Sequence, residues 1–168
     1  MTTKVDVMKS IEAVDIRVNQ MTPRLLTNGA AKLPEGAWQV RQVLCHLAAR
    51  ANSMPIATMA AQRMRAAKDQ GQSAPARSAI DIDEMNQQQI DDRQNSSIQE
   101  IVDEIHTGHQ AALQAIREFD EQTLEERLPA LSGGGDMSFA DLVLRAGPGH
   151  ENHHLDQIEK AMGGEISG

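Results

Sequence analysis

The amino-acid sequence predicts an all-α protein, and three observations support this fold class. Aromatic residues make up only 2% of the 168 residues, and tyrosine is absent. Strands favour β-branched and aromatic side chains, whereas this chain uses many Ala, Leu, Met, Gln, Glu and Arg residues, which helices tolerate well. Its apolar residues also recur in steps of three and four, the period of a helix. We therefore expect residues 1–168 to form one domain, a four-helix bundle.

The first two predicted helices are separated by a loop rich in glycine and proline. The first begins near Val7 and keeps one apolar face as far as Met21. Pro23 is expected to close it, because proline lacks the amide hydrogen that a helix interior needs. The second is predicted from Trp38, and Pro55 either kinks it or begins a new helix.

The third part of the chain contains the strongest helical pattern. A loop over residues 71–78 precedes a short helix predicted from Asp83 to Arg93. Ser97 and Glu100 then have the spacing of a capping box, in which each side chain caps the other residue's backbone amide. The long helix that follows has one continuous apolar face, formed by Ile98, Ile101, Val102, Ile105, His109, Ala112, Ile116 and Phe119.

The last predicted helix is interrupted. It follows a loop over residues 125–135 in which no strand is evident, begins near Ser138, and contains Gly147-Pro148-Gly149 before it continues to Met162. A helix break beside polar residues that face the core often accompanies a functional site. We therefore look for chemistry directly after this break.

The charge of the chain disfavours several classes of partner. The formal net charge is −8, and binding to nucleic acid needs a basic face that offsets the phosphates. No apolar run approaches the roughly 20 residues of a membrane-spanning helix. The single cysteine, Cys45, cannot form an internal disulfide. We expect a cytoplasmic protein that binds a small molecule, with no nucleic acid or membrane partner, and that can form a homodimer.

His150 and His154 are the most informative pair in the sequence. Residues four apart lie about 6 Å apart on one helix face, so two imidazoles can converge on one metal ion. The pair continues the apolar stripe that contains Phe139 and Val143. Two partly exposed histidines at a polar helix end would have the same spacing, and this alternative stays open.

The run from His150 to His154 also matches the H-E-x-x-H pattern of zinc proteases. The context argues against a protease, because no strand is evident along which a peptide substrate could bind. Glu151 nevertheless remains a candidate catalytic base, since a carboxylate beside the first ligand can reach a water on the metal.

A third ligand would come from another helix, and His46 is the candidate. On a helical wheel it lies roughly 110° from the centre of the apolar stripe of the second helix. That phase places His46 at the boundary of the buried face, so spacing alone leaves its role open.

Three segments resemble the DinB-like superfamily. The run GAWQVRQVLCHLA, residues 36–48, is similar to the W-x-V-x-x-V-L-x-H-L signature of its second helix. The run HENHHLDQI, residues 150–158, is similar to the H-x-x-x-H-x-x-Q-I signature of its last helix. Residues 83–93 resemble the third segment of the N-terminal domain of mycothiol-dependent maleylpyruvate isomerase, which belongs to that superfamily together with the bacillithiol transferases.

The resemblance implies a four-helix bundle that holds a divalent metal, zinc first and nickel second. Matched by position, the ligands would be His46, His150 and His154, with a fourth position left for water or substrate. The isomerase branch usually has Glu where this chain has His150, so the all-histidine set is closer to the thiol-transferase and unassigned branches. A low-molecular-weight thiol, mycothiol, bacillithiol or glutathione, is the implied cosubstrate.

Three more residues are candidates for binding a thiol cofactor or substrate. Asn86 and Arg93 match the N-x-x-x-x-x-x-R pattern of the isomerase domain, and an arginine could pair with the carboxylate of a thiol or an organic acid. His109 lies at the centre of the apolar face of the long helix that follows Ser97, and it could face the metal from across the bundle. The alternatives are a surface charge for Arg93 and a buried histidine bonded to backbone or water for His109.

The favoured function is a metal-dependent enzyme that transfers or adds a low-molecular-weight thiol to a small electrophile, as an S-transferase or an isomerase. The metal would bind the thiol and lower its pKa. Two alternatives from other classes stay open. One is a hydrolase in which Glu151 activates a water on the metal, and the other is a non-catalytic helical dimer.

Overall fold

The computed structural model describes residues 2–36, 38–70, 79–129 and 136–163. Its regular structure is almost entirely helical, which confirms the predicted all-α class. The helices are α1 (Lys4–Asn28), α2 (Val40–Arg50), α3 (Met54–Asp69), α4 (Ala79–Asp91), α5 (Ile98–Glu118), α6 (Glu121–Glu125), α7 (Phe139–Ala146) and α8 (Pro148–Ala161). Two short antiparallel strands, β1 (Arg127–Pro129) and β2 (Asp136–Ser138), precede α7. The loop predicted over residues 71–78 lies outside the described residues.

Four helical rods form the bundle, and two of them are broken. The unbroken rods are α1 and α5, which pack against each other along their length, and the broken rods are α2–α3 and α7–α8. In one half of the bundle, α2 and α8 pack on each other and on α1 and α5. In the other half, α3 and α7 pack on each other and on the same two helices. The core therefore has two parts, which meet where the broken rods change direction.

The two breaks lie against each other and depend on small residues. A Cβ atom on Gly147, between α7 and α8, would be 2.5 Å from Oγ of Ser53, between α2 and α3. A Cβ atom on Gly108 of α5 would be 2.6 Å from Cβ of Ala51, which lies between α2 and α3 as Ser53 does. Larger side chains would force these backbones apart, so glycine permits the close approach that positions α2 relative to α8.

Proline residues explain one correct and one wrong helix boundary. Pro55 begins a new helix, since it occupies the first turn of α3, where no amide donor is needed. Pro23 does not end α1, which continues to Asn28. Both Pro23 and Asn19, the residue whose carbonyl loses its donor, are exposed, so water can satisfy that carbonyl. The buried side chain of Leu25 anchors the last turn to the core.

The remaining elements follow the sequence pattern except for the start of α4, which begins at Ala79 instead of Asp83, the short helix α6 and the two strands. Ser97 caps α5 as predicted: its Oγ accepts from the amide of Glu100 at 3.2 Å, and its own amide donates to Oε2 of Glu100 at 2.6 Å. The strands β1 and β2 were not evident from the sequence, because three-residue strands are too short to show an alternating pattern. None of the described helices is long and apolar enough to cross a membrane.

Candidate metal centre

The structure brings His46, His150 and His154 together between α2 and α8. One ring nitrogen of each lies within 4.8 Å of the others, and Nε2 of His46 is 2.9 Å from Nε2 of His150. Nitrogens that bind one tetrahedral zinc ion at about 2.0–2.1 Å are about 3.3 Å apart. Small side-chain adjustments would therefore bring all three nitrogens to bonding distance from one ion.

Two helices supply these side chains. His150 and His154 lie one turn apart on α8, with ring centroids 4.6 Å apart. His46 comes from α2, and its ring centroid is 5.2 Å from that of His150 and 5.1 Å from that of His154. The three rings thus form a nearly equilateral group, in which no ring is displaced from the common centre.

His46 is buried more deeply than its helical phase predicts. Only 3% of the residue is exposed, although the wheel placed it at the boundary of the apolar face. The reason is α4, which packs on the side of α2 that carries His46, outside the apolar stripe of the helical wheel. Gln89 of α4 covers the ring, and its Oε1 accepts a hydrogen bond from Nδ1 of His46 at 2.8 Å.

Two glutamine side chains orient the imidazole rings. Gln89 accepts from Nδ1 of His46, and Oε1 of Gln157 accepts from Nδ1 of His154 at 2.8 Å. An amide oxygen only accepts, so the proton of each neutral ring lies on Nδ1 and the lone pair lies on Nε2. Hydrogen bonds of this kind fix the tautomer and the ring orientation of metal-binding histidines.

Burial keeps the three imidazoles neutral at pH 7. Burial lowers the pKa of His46 to about 4, although the hydrogen bond that His46 donates to Gln89 opposes the shift. Burial lowers the pKa of His150 to about 3, and the positive charge of Arg50 adds to the effect. The pKa of His154 is lowered mainly by burial as well. Neutral imidazole is the form that binds a metal, so the ligands need not lose protons first.

A cavity of about 530 Å³ opens beside the three rings. That volume is within the range of small-molecule sites. Its walls come from α2, α3, α4 and α8, and the indole of Trp38 lies at one side with its ring centroid 5.5 Å from that of His46. The histidines are therefore accessible to a small molecule.

Of the predicted cofactor-binding residues, Asn86 lines this cavity and Arg93 does not. Oδ1 of Asn86 is buried and accepts no hydrogen bond from the described residues. The guanidinium of Arg93 instead donates to Glu104 of α5, with its Nε 2.9 Å from Oε2, and to the backbone carbonyl of Gln89 at 2.9 Å. Arg93 therefore holds α4 against α5 and does not face this cavity.

His109 and Glu151 contact each other rather than the cavity. Nε2 of His109 is 2.6 Å from Oε2 of Glu151, and Nδ1 is 2.8 Å from Oδ1 of Asp15. Neither His109 nor Glu151 is among the residues that line the cavity. Glu151 is thus directed into the bundle, away from the position of a base beside the histidine cluster.

His109 is a charged group in the core. Burial lowers its pKa, but the hydrogen bonds and charges of Glu151 and Asp15 outweigh burial, and the net pKa is raised. Each ring nitrogen faces a carboxylate, so each donates a proton, as only imidazolium can. Asp15 was not singled out in the sequence, although an acidic residue beside Val14 on the apolar face of α1 is the signal that could have found it.

The fold and site define a class: a bundle of broken helices with a potential three-histidine metal site in an open cavity. The chain belongs to the DinB superfamily, because the model of that family matches residues 11–158. The match includes all three histidines and confirms the resemblance drawn from the sequence. Neither a curated protein nor a solved structure matches the chain.

Proposed function

We propose that this protein is a metal-dependent enzyme that transfers or adds a low-molecular-weight thiol to a small electrophile. The observation that carries the proposal is the convergence of three neutral imidazoles at the wall of a cavity of about 530 Å³. A metal with a purely structural role is usually fully enclosed by protein ligands, whereas three ligands in an open cavity leave a position for a reactant.

The donor set fits a borderline divalent cation. Imidazole nitrogen suits zinc and nickel, and His46, His150 and His154 would hold such an ion through three neutral ligands. When bound, the ion supplies Lewis acidity, which lowers the pKa of a thiol or a water at the open position. We propose zinc as the native metal and nickel as the second candidate.

The protein's own residues would bind the substrate and exclude water. Apolar side chains from α3 and α4, among them Ile56, Met59 and Met85, line the cavity together with the histidines. They offer a surface for the apolar part of an electrophile. The buried Oδ1 of Asn86 can accept a hydrogen bond from a donor on either reactant.

The composition of the cavity wall, as far as its residues are described, favours a thiol over water as the nucleophile. No Asp or Glu is among the described residues that line the cavity, and the carboxylate of Glu151 is bonded to His109. Hydrolysis benefits from a general base that takes the second proton of water. A thiol loses one proton on ionisation and needs no such base afterwards.

Metal analysis and thiol titration test this proposal. Protein prepared without a histidine tag should contain about one metal ion per chain. After substitution by cobalt, adding mycothiol, bacillithiol or glutathione should increase the ultraviolet thiolate-to-cobalt band. Loaded protein that responds to none of the three thiols would contradict the proposed activity. Protein that binds no metal would support the non-catalytic alternative.

A further inference from the structure

The walls of the histidine cavity carry positive charge, which is unusual for this chain. Arg50 and Arg63 line it together with the three histidines, and no acid does so among its described lining residues. The whole chain has a formal net charge of −8. The cavity is thus a local exception to the charge of the molecule, and fields in a low-dielectric cleft favour ligands of opposite sign.

Arg50 is the guanidinium closest in sequence to a proposed ligand. It lies at the end of α2, one helical turn beyond His46 on the same face. Its charge lowers the pKa of His46, of His150 and of His154, so it acts on all three rings. A fixed positive charge beside a cation site opposes metal binding, and a negative charge on the ligand would relieve that repulsion.

The mouth of the cavity is apolar. Met59 of α3 is 54% exposed and Ile82 of α4 is 39% exposed, and both line the cavity. Large apolar side chains at this exposure gain free energy when a ligand covers them. A ligand with an apolar body would therefore cover the mouth while a charged end reaches Arg50.

We propose that the cavity binds a small organic anion whose carboxylate pairs with Arg50, whose apolar body covers Met59 and Ile82, and whose thiol or electrophilic end faces the three histidines. This inference names the substrate class of the proposed function and rests on it for the direction of the reactive end. Arg50 takes the role that the sequence assigned to Arg93. The planar guanidinium fork matches a carboxylate with two parallel hydrogen bonds.

Trp38, the single tryptophan of the chain, provides the readout because it lines the cavity. Its fluorescence should be titrated in the metal-free protein at pH 7.5 with 4-methylpentanoate and 4-methylpentanamide, which have similar shapes and differ in charge. The same titration on the zinc-loaded protein should use 3-mercaptopropanoate and 3-mercaptopropanamide. We expect the carboxylate of each pair to bind about tenfold more tightly than the amide, or better.

Three variants complete the experiment. Arg50→Gln should make each carboxylate bind about as weakly as its amide. Arg50→Lys keeps the charge without the fork and should reduce the preference severalfold. Arg117→Gln removes an exposed guanidinium of α5 that does not line the cavity, and it should leave the preference unchanged.

Equal binding of carboxylate and amide by the native metal-free protein would overturn the inference, as would a preference that persists in Arg50→Gln. If Arg50→Gln does not fold, as judged by helical circular dichroism, an undiminished preference in Arg50→Lys would overturn it. Failure of the proposed function is distinguishable. In that case the zinc-loaded protein binds neither mercapto compound through sulfur, while the metal-free protein still prefers 4-methylpentanoate.

Discussion

Oε2 of Glu151 lies 2.6 Å from Nε2 of His109, and both side chains are almost completely buried. Asp15 contacts the other ring nitrogen, so one imidazolium links α1, α5 and α8. The link fixes the rotation of α8, because Glu151 directly follows His150 in that helix. A buried charge between two partners is tolerated only while both remain.

Glu151→Gln should therefore affect folding more than chemistry. Leaving the His109 charge with one carboxylate should lower the free energy of unfolding by about 3–5 kcal/mol, as measured by denaturant titration. At temperatures where the variant is folded, we expect metal content and thiol transfer to change little. A loss of about 10²–10⁴-fold in rate with full stability would instead favour the hydrolase. His106→Gln, at the half-exposed end of the same network, is the control and should cost less than about 1 kcal/mol.

The pH dependence of stability in the metal-free protein should have a maximum. The raised pKa of His109 gives a stabilisation that is fully present below the unfolded value, about 6.5, and is lost as pH rises through the folded value. The lowered pKa values of His46 and His150 act in the opposite direction. Below about pH 6.5 the unfolded chain binds protons that these folded rings do not, so stability decreases on acidification.

Chemical denaturation at intervals between pH 5 and 9 measures this profile. In His109→Gln the loss on the alkaline side should disappear while the loss on the acid side remains. In His150→Ala the acid loss should become smaller and the alkaline loss should stay. A native profile that rises steadily over the whole interval would show that His109 is not held as imidazolium.

Metal affinity should depend weakly on pH. Three imidazoles with an ordinary pKa of about 6.5 would lose on the order of 10⁴-fold in affinity between pH 7 and pH 5 through proton competition. Because the pKa values of His46 and His150 are about 4 and 3, we expect a loss of less than about 30-fold, the contribution of one ordinary imidazole. Competition with a chromophoric chelator at pH 7, 6 and 5 measures it. A loss near the larger figure would show that the rings are protonated in the folded protein.

Removing the metal should destabilise the fold, since the proposed ligands come from α2 and α8 and meet only when these helices are packed. At a free metal concentration 1,000 times the dissociation constant, metal binding should raise the free energy of unfolding by about 4 kcal/mol. For a chain of this size, this corresponds to an increase in Tm of roughly 8–16 °C. Thermal unfolding with and without a chelator measures the shift. His154→Ala should abolish it. His153→Ala, which removes an exposed neighbour on α8, should not.

Gln89→Ala should weaken metal binding by about 10–100-fold, because the ring of His46 would lose the acceptor that fixes its tautomer. Gln88→Ala is the matched control. Gln88 is exposed on the same helix and bonds only to Asp92 among the contacts described. Isothermal titration with zinc compares the variants, and equal affinities for both would remove Gln89 from the metal site.

The part of the site that could be predicted from the sequence is the part carried by local spacing. His150 and His154 lie one turn apart on any helix, and the capping box at Ser97 requires only residues three apart. Local spacing also gives the direction of the long apolar face of α5.

The rest depends on which elements pack together, and no local pattern contains that information. The wheel placed His46 at a boundary because it represents α2 alone, whereas α4 covers that flank in the bundle. Arg93 and Glu151 matched motifs at the correct spacing, yet both side chains bind residues of α5. Arg93 is bonded to Glu104, and Glu151 is bonded to His109. Arg50 and Asp15 belong to no sequence motif, and only the residues packed around them in the fold indicate their roles.

The separation of 104 positions between His46 and His150 in the sequence also determines when the site can form. A growing chain presents His46 well before the ribosome has made His150, and at about 5–20 residues per second the interval is about 5–20 s. During that time a metal ion would meet a single imidazole, which holds it weakly. The three-ligand site is completed only when α8 has left the ribosome and docked, so metal loading would follow the docking of α8.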